Sequence, residues 1–506
     1  MIVATSRGNL RLWALRIGVA VAVVLLALDL VRLIGTGLRA VQYAYDLDYG
    51  EGIVWQQMIN IVAGAGYAPL GVFPAIVYHY PPVYHLVVGA VAQAFGSDGL
   101  ATGRMVSLLS TLASIGLVGR LAFAMIPAEE PRRVRLLAAA IAGGCLALSP
   151  PILHWSSLMR VDMLAGAFSL AGLALTPGAA TRPLRLALAA LCFVLAIYTK
   201  QTSIAAAAAA FVALWLARPR AAWMLLGWCA ALGLGILGVL SVMSHGGFLR
   251  HTLLYNLNRP DLSRAQIVAF AILVHIGILT IAALGVVAVC RTLRSPTVAA
   301  LRRKVTTDPR AFAALLMLAF LLLKTAMLPT ILKSGSNDNY LIEWLYAAAA
   351  FVGIGVVPLV EAVFTGSRRP SLLLVAMMTI GVPIQAYHIL VGRNPSDMTL
   401  SYAPVVERIA RSTRPVVSDD MVLLIRGGQP VRWEPAIAAE LGHAGVYDEA
   451  GFARLVRAGK FGFFATVGDR GDRLYDERYN PVVADAIDAA YPRRERYHDL
   501  VLHLPR

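Results

Sequence analysis

The chain has 506 residues, 58% of them hydrophobic and only 15% charged, with a mean hydropathy of +0.67. That is more apolar side chain than a water-soluble core can bury, so the composition excludes an ordinary soluble protein and points to a bilayer as solvent. The net charge of +16 does not indicate nucleic acid, because the Lys and Arg residues recur as short clusters between apolar runs, the pattern of cytoplasmic loops, rather than forming one stripe. Cys145, Cys192, Cys229 and Cys290 all lie inside apolar segments without CxxC spacing, which argues against a disulfide framework and against a zinc site.

Reading runs of about 20 apolar residues as spanning helices gives about eleven of them, with the N-terminus inside. Arg7, Arg11 and Arg16 precede a first span near Ile17 to Ile34, which leads outward into a long external segment from Gly35 to Gly103. Later spans return to basic clusters at Arg132, Arg133 and Arg135, at Arg182 and Arg185, at Arg218 and Arg220, and at Arg368 and Arg369. The richest cluster, Arg302-Arg303-Lys304 within Arg291 to Arg310, anchors the orientation. The short apolar stretch from Pro81 to Phe95 is expected as an interfacial helix, because a crossing there would turn that cluster outward. The third and fourth spans fall near Leu136 to Pro150 and from Met163, and the eleventh ends near Val391. Residues 1–395 then form the membrane part, and 396–506 a small α/β domain outside. In that domain, Val416 to Asp419, Val422 to Ile425 and Phe461 to Val467 read as strands, and Pro404 to Ser412, Glu434 to Leu441 and Glu449 to Ala458 as helices.

Polar residues in such a chain stand out. Tyr45-Asp46-Leu47-Asp48-Tyr49-Gly50-Glu51-Gly52 places three carboxylates directly after a spanning helix. Like charges this close raise one another's pKa, and one held near neutrality suits a general base; a solvated acidic loop is the alternative. Tyr78-His79-Tyr80-Pro81-Pro82-Val83-Tyr84-His85 joins aromatics and histidines to a rigid corner, read either as a site for a substrate anion at His79, Tyr80 and Tyr84 or as interfacial belt residues. Ser149-Pro150 to His154 and on to Arg160-Val161-Asp162 sets ionisable groups at a membrane edge, where charge defaults to function unless Arg160 and Asp162 pair with each other. Lys200, in Tyr198-Thr199-Lys200-Gln201-Thr202, either neutralises a lipid phosphate or snorkels. The loop Lys333 to Trp344 carries Asn339, Tyr340 and Glu343; Asn339 and Glu343 share a helix face if the helix begins there, and Glu343 needs a partner, Lys333 or a substrate group. His245, His251, Tyr255, Asn256, Asn258, Arg259 and Asp261 form another polar external loop without metal-ligand spacing. The threading puts all these signals on one side of the bilayer, which is the case for a single site.

With these motifs, over roughly residues 10 to 395, the sequence resembles the GT-C superfamily of integral membrane glycosyltransferases, which includes protein O-mannosyltransferases and lipid A aminoarabinose transferases. The carriers are the acidic motif, Tyr80-Pro81-Pro82-Val83-Tyr84, the Ser149-Pro150…Arg160-Val161-Asp162 loop, Lys200-Gln201-Thr202 and Asn339-Tyr340…Glu343. The resemblance implies an inverting transfer from a polyprenyl-phosphate sugar to an envelope glycan, lipid or protein, at the periplasmic face of a bacterial inner membrane. It implies a catalytic carboxylate among Asp48, Glu51 and, third, Asp46, and phosphate-holding cations Arg160, Lys200 and Lys333. His79, Tyr80, Tyr84, His154, Asp162, Asn339, Tyr340 and Glu343 would bind substrate. Where relatives carry adjacent Asp-Glu-Gly, this chain has Asp48 separated from Glu51-Gly52, so either can be the base. No cofactor is expected, and metal-independent transfer is favoured over a divalent ion. The competing reading is a transporter or flippase for a lipid-linked glycan, for which Asp29 and Lys324 are the ionisable groups inside spans.

Overall fold

A computed structural model describes the chain except for Met1, Leu257 and residues 367–369 and 392–397, and except for the side chains of residues 2–11 and 180. The basic residues Arg368 and Arg369, the side chains of Arg7 and Arg11, and the expected domain boundary at 395 lie outside the described residues.

Among the described residues, seven helices are long and apolar enough to cross a membrane: Leu12–Gln42, Gly99–Met125, Pro219–Met243, Ile276–Leu293, Pro309–Ile331, Asp338–Thr365 and Leu372–Val391. Shorter apolar helices, Asp162–Leu175, Pro183–Thr199 and Gln201–Ala217, stand where the fourth, fifth and sixth spans are expected. Several expected continuous runs are broken for identifiable reasons. The third passes from Arg132–Gly144 into a 3₁₀ turn at Cys145–Leu148 and restarts at Pro150–Trp155, where Pro150 occupies a first-turn position that needs no amide hydrogen. The helices Ala265–Val274 and Ile276–Leu293 meet at His275, whose ring bonds the Ala271 carbonyl at 2.7 Å and Ser149 Oγ at 3.0 Å. Val83–Phe95 is a helix of 13 residues ending at Gly96 with φ 59°; it rises only about 20 Å, too little for a crossing.

The centre of the bundle is Ile342–Gly355, buried along nearly its whole length. It lies so close to Ile276–Leu293 that a Cβ on Gly285 would stand 2.0 Å from the Phe351 carbonyl oxygen, and one on Gly355 2.2 Å from that of Ile281. Such mutual glycine contacts let backbones approach where no hydrophobic force between helices is available. The basic segment Val298–Thr307 is itself a helix, capped by Thr297, and Arg302 donates to the carbonyl of Leu216. With the Arg310–Glu129 contact at 3.2 Å, this places the basic loops beyond the Met125 end of Gly99–Met125, whereas the acidic motif and Asp98 lie at its other end.

Beyond the bundle, a four-stranded sheet has the order β1 (Val417–Ser418), β2 (Phe464–Val467), β4 (Leu500–Leu504), β3 (Arg493–Tyr497). β1 runs parallel to β2 with Val417 opposite Phe464, and the other pairings are antiparallel. The helices expected in this domain appear as Ala403–Arg411, Pro435–His443 and Glu449–Arg457. One expectation is corrected: Val422 to Ile425 belongs to a helix, Met421–Arg426, because the Asp420 carboxylate accepts from the Leu423 amide at 3.2 Å and caps it.

This domain is built onto the segment between the first two long helices. The Ala75 amide donates to the Arg432 carbonyl at 2.7 Å, Tyr447 Oη to the Val72 carbonyl at 2.7 Å, and the Val431 amide to Gln56 Oε1 at 2.8 Å. Arg426 pairs with Asp98 at 2.6 Å. The site therefore lies under a roof held by both parts of the chain.

Candidate active site

The acidic motif folds as a turn running into the helix Gly50–Val62, and its carboxylates part company. Glu51 points inward and is wholly buried. It accepts from Arg104 Nε at 2.8 Å and Nη2 at 2.6 Å, from the Met159 amide at 2.7 Å and from the Leu47 amide at 2.8 Å. Two donors on each oxygen fill the acceptor capacity of a carboxylate. Arg104, equally buried, spends its remaining donors on the carbonyls of Ala40, Tyr43 and Tyr45, tying the end of the first span to the loop.

Asp48 differs. Its Oδ1 accepts from the Gly50 amide at 3.0 Å and from Arg160 Nη1 at 3.1 Å, both side chains of the pair are partly exposed at 19% and 16%, and Oδ2 has no hydrogen bond among the described residues. The two glycines that follow explain the local sequence. A Cβ on Gly50 would fall 1.3 Å from Arg160 Nη1, and one on Gly52 2.6 Å from the backbone of Met421. Gly50 admits the guanidinium, and Gly52 admits the C-terminal domain.

Arg160 also covers the Trp155 ring at 5.2 Å. Two residues on, Asp162 does not pair with Arg160, as a structural loop pairing would require; it binds Lys200 Nζ at 2.5 Å and accepts from Asn339 Nδ2 at 2.9 Å. The Tyr340 ring then gathers two ammonium groups, Lys200 at 4.8 Å and Lys333 at 5.5 Å. Lys333 is steadied by Asn258 Oδ1 at 3.0 Å. Tyr80 lies within electrostatic reach of Arg160, Asp162 and Lys200. A small cleft lined by Asp162, Lys200, Asn339, Tyr340, Lys324 and Glu343 opens beside them.

Other expected site residues take supporting positions. Glu343 finds its partner in Lys324, at 2.8 Å, and Ser169, at 2.6 Å, rather than in Lys333, because Lys324 faces it from the neighbouring helix Pro309–Ala326. Tyr84 buries its hydroxyl against the Gly103 carbonyl at 2.9 Å. His79 is held against the Tyr255 carbonyl at 3.3 Å while its own carbonyl accepts from Gln201, and burial pushes its pKa down to about 4, so it is neutral and links loops instead of gripping an anion by charge. His154 lies edge-on to Trp155.

Asp46 turns toward the roof and shares a hydrogen bond with Asp420. Burial and this neighbour hold Asp46 well above the usual carboxylate range, and burial pushes Asp420 up to about 7, so the pair retains a proton near neutrality. Glu434, from the same domain, is buried near Arg160 and Arg478, and burial pushes it up to about 8. Arg478 stacks on the Tyr49 ring at 4.0 Å and pairs with Asp419 at 3.1 Å. None of Arg104, Asp420, Glu434 or Arg478 is visible as a site residue in the sequence. Among the described residues no group of three or more His, Cys, Asp and Glu side chains is arranged to hold a metal ion.

No protein-family model and no curated protein matches the sequence. Solved structures do match in fold. ArnT from Cupriavidus metallidurans bound to undecaprenyl phosphate aligns over 96% of this chain and 97% of its own, with TM-score 0.56 and 16% identity. Its apo state aligns over 94% and 97%, with TM-score 0.54 and 14% identity. The archaeal oligosaccharyltransferase AglB from Archaeoglobus fulgidus, in complex with an inhibitory peptide and a dolichol-phosphate, aligns over 87% of this chain and 69% of its own, with TM-score 0.50 and 12% identity. The chain shares the fold of these structures, over nearly its whole length in the case of ArnT.

Proposed function

We propose that the protein is a membrane glycosyltransferase that moves a sugar from a polyprenyl-phosphate donor to an acceptor in the cell envelope, with inversion at the anomeric carbon. The observation that carries this reading is Asp48, with one carboxylate oxygen unbonded, set 3.1 Å from Arg160 and one short loop from the Asp162–Lys200 pair. Similarity of fold to a protein bound to undecaprenyl phosphate and to one in complex with a dolichol-phosphate supports a lipid-linked donor.

In the proposed reaction the acceptor hydroxyl or amine attacks the anomeric carbon while Asp48 Oδ2 takes its proton. The bond to the donor phosphate breaks on the opposite side, and its electron pair leaves with the phosphate oxygen. Arg160, Lys200 and Lys333 stabilise that oxygen, an electrostatic task for which fixed cations are suited. Three cations at the leaving group also favour a metal-independent route, so transfer is expected to survive chelation by EDTA. Glu51, saturated by four donors, supports the loop instead of competing for the proton.

The test is mass spectrometry of envelope glycans and lipids in a strain lacking the protein and in the same strain supplied with Asp48→Asn. One sugar should disappear and should not return with the variant; full restoration would overturn the reading. The transporter alternative rests on Asp29, buried in the first span with neither oxygen bonded among the described residues. It predicts the reverse, Asp29→Asn inactive and Asp48→Asn active.

A further inference from the structure

Glu434 has no part in the transfer as described, yet its placement is more constrained than that of most surface carboxylates. It occupies the N-cap position of Pro435–His443 with φ −109° and ψ 110°. A short polar side chain there accepts from an amide of the first turn. Glu434 does not, and its side chain makes no hydrogen bond among the described residues although the residue is 93% buried by its 7% exposure. Polar groups buried this deeply are normally satisfied, so a carboxyl without a partner in the protein is open to one from a ligand.

The chain on either side of it is fixed to the segment between the first two long helices. Residue 432 accepts from the Ala75 amide at 2.7 Å, and Trp433 stacks on Phe452 at 4.2 Å and donates to Tyr447 Oη at 2.8 Å. The Ala436 amide donates to the hydroxyl of Tyr49, the residue next to Asp48, at 3.1 Å. The charged groups that face the carboxyl are Arg160 from the membrane part, and Arg478 and Glu440 from its own domain; Arg478 also covers the Tyr49 ring. Because burial outweighs the two guanidinium groups, the carboxyl holds its proton up to a pKa of about 8. A neutral carboxyl both donates and accepts a hydrogen bond, which matches a hydroxyl group.

Geometry also separates donor from acceptor. The cleft containing Lys200, Lys324 and Tyr340 is lined by the membrane part alone. Glu434 comes from the roof, two residues before the Ala436 amide that bonds Tyr49 beside Asp48, the proposed base. In an inverting displacement the nucleophile and the leaving phosphate lie on opposite faces of the anomeric carbon, so the roof side belongs to the acceptor.

We propose that Glu434 is a substrate-contacting residue supplied by the C-terminal domain, and that it hydrogen-bonds a hydroxyl of a carbohydrate acceptor while a neighbouring hydroxyl is presented to Asp48. This rests on the transferase reading. The acceptor site is thus shared between the two parts of the chain, and the domain is part of the enzyme rather than an appendage.

The experiment adds purified full-length enzyme, wild type or variant, to envelope fractions from the strain lacking it, and follows the added sugar by mass spectrometry at pH 7 and pH 9. Thermal melting and trypsin resistance of the C-terminal domain are measured in parallel. Glu434→Ala should lower transfer at least tenfold with melting and protease resistance unchanged. Wild-type transfer should decline between pH 7 and pH 9, and Glu434→Gln should keep most of the activity at pH 7 and lose that decline, since an amide cannot ionise. Wild-type transfer by Glu434→Ala alongside an inactive Asp48→Asn would overturn this inference and leave the transferase reading standing. Loss of melting and protease resistance in both Glu434 variants would overturn it in favour of a purely structural role. Activity in Asp48→Asn would sink the transferase reading itself.

Discussion

Two carboxylate–guanidinium pairs lie within a few residues of each other in this protein and have opposite characters. Glu51–Arg104 is sealed, with both side chains at 0% exposure and every acceptor position filled. Asp48–Arg160 is open, partly exposed, joined by a single contact and left with a free oxygen. A buried pair without slack holds structure, whereas a pair with an unused lone pair and access to solvent can exchange partners with a substrate. The motif that joins them thus divides its labour: Glu51 fastens the loop to the second long helix, and Asp48 is left available for chemistry.

That contrast can be broken at several points. The largest effect is expected on the sealed side. Arg104→Met leaves the Glu51 charge buried and uncompensated and frees the three carbonyls it holds, so folding stability should fall by about 3–5 kcal/mol, seen as a collapse in the yield of monodisperse protein after detergent extraction. On the open side, Gly50→Ala forces a methyl group into the space of the Arg160 guanidinium; sugar transfer should fall about 100-fold while the melting temperature shifts little. Lys200→Met removes a cation proposed to hold the donor phosphate and should raise the donor KM about tenfold, and it also leaves Asp162 without its ion partner, so the same variant should melt somewhat earlier. The smallest effect concerns the roof. Asp46 and Asp420 hold protons in the folded state that they would release at ordinary carboxylate pKa values once unfolded. The native state therefore binds more protons, stability is greatest below the unfolded pKa, and it declines as pH rises toward about 7. Melting should drop by a few degrees between pH 5 and pH 7.5, and Asp420→Asn should flatten that slope.

The contrast also shows what a sequence makes visible. Arg160, Asp162 and Lys200 stand out because each is a charge at a membrane edge, and Asp48 and Tyr340 because each lies in a polar cluster next to an apolar run; the structure gathers these five around one site. The same logic misplaces the partner of Glu343: Lys324 lies deep in an apolar helix and reads as a membrane-embedded charge of its own, while Lys333 is nearer in sequence. Arg104 is hidden by its position at the start of a span, where basic residues are common. Glu434 and Asp420 are hidden for the opposite reason, since in a charged soluble domain one more carboxylate offers no contrast. Val422 to Ile425 is too short an apolar run for periodicity to separate strand from helix; Asp420 ahead of it was the available sign of a helix start. The β3–β4 hairpin escapes because Arg493-Arg494-Glu495-Arg496 reads as loop, although such charge is how an edge strand avoids pairing with other chains. The left-handed turn at His498, φ 54°, joins the two strands without a glycine to announce it.

The most direct test compares Asp48→Asn with Glu51→Gln, each measured for melting temperature and for sugar transfer to envelope acceptors. The division of labour predicts that Asp48→Asn melts like wild type and transfers at least 100-fold more slowly, and that Glu51→Gln melts markedly earlier. An Asp48→Asn enzyme with undiminished transfer, or a Glu51→Gln enzyme that is fully stable yet catalytically dead, would contradict it.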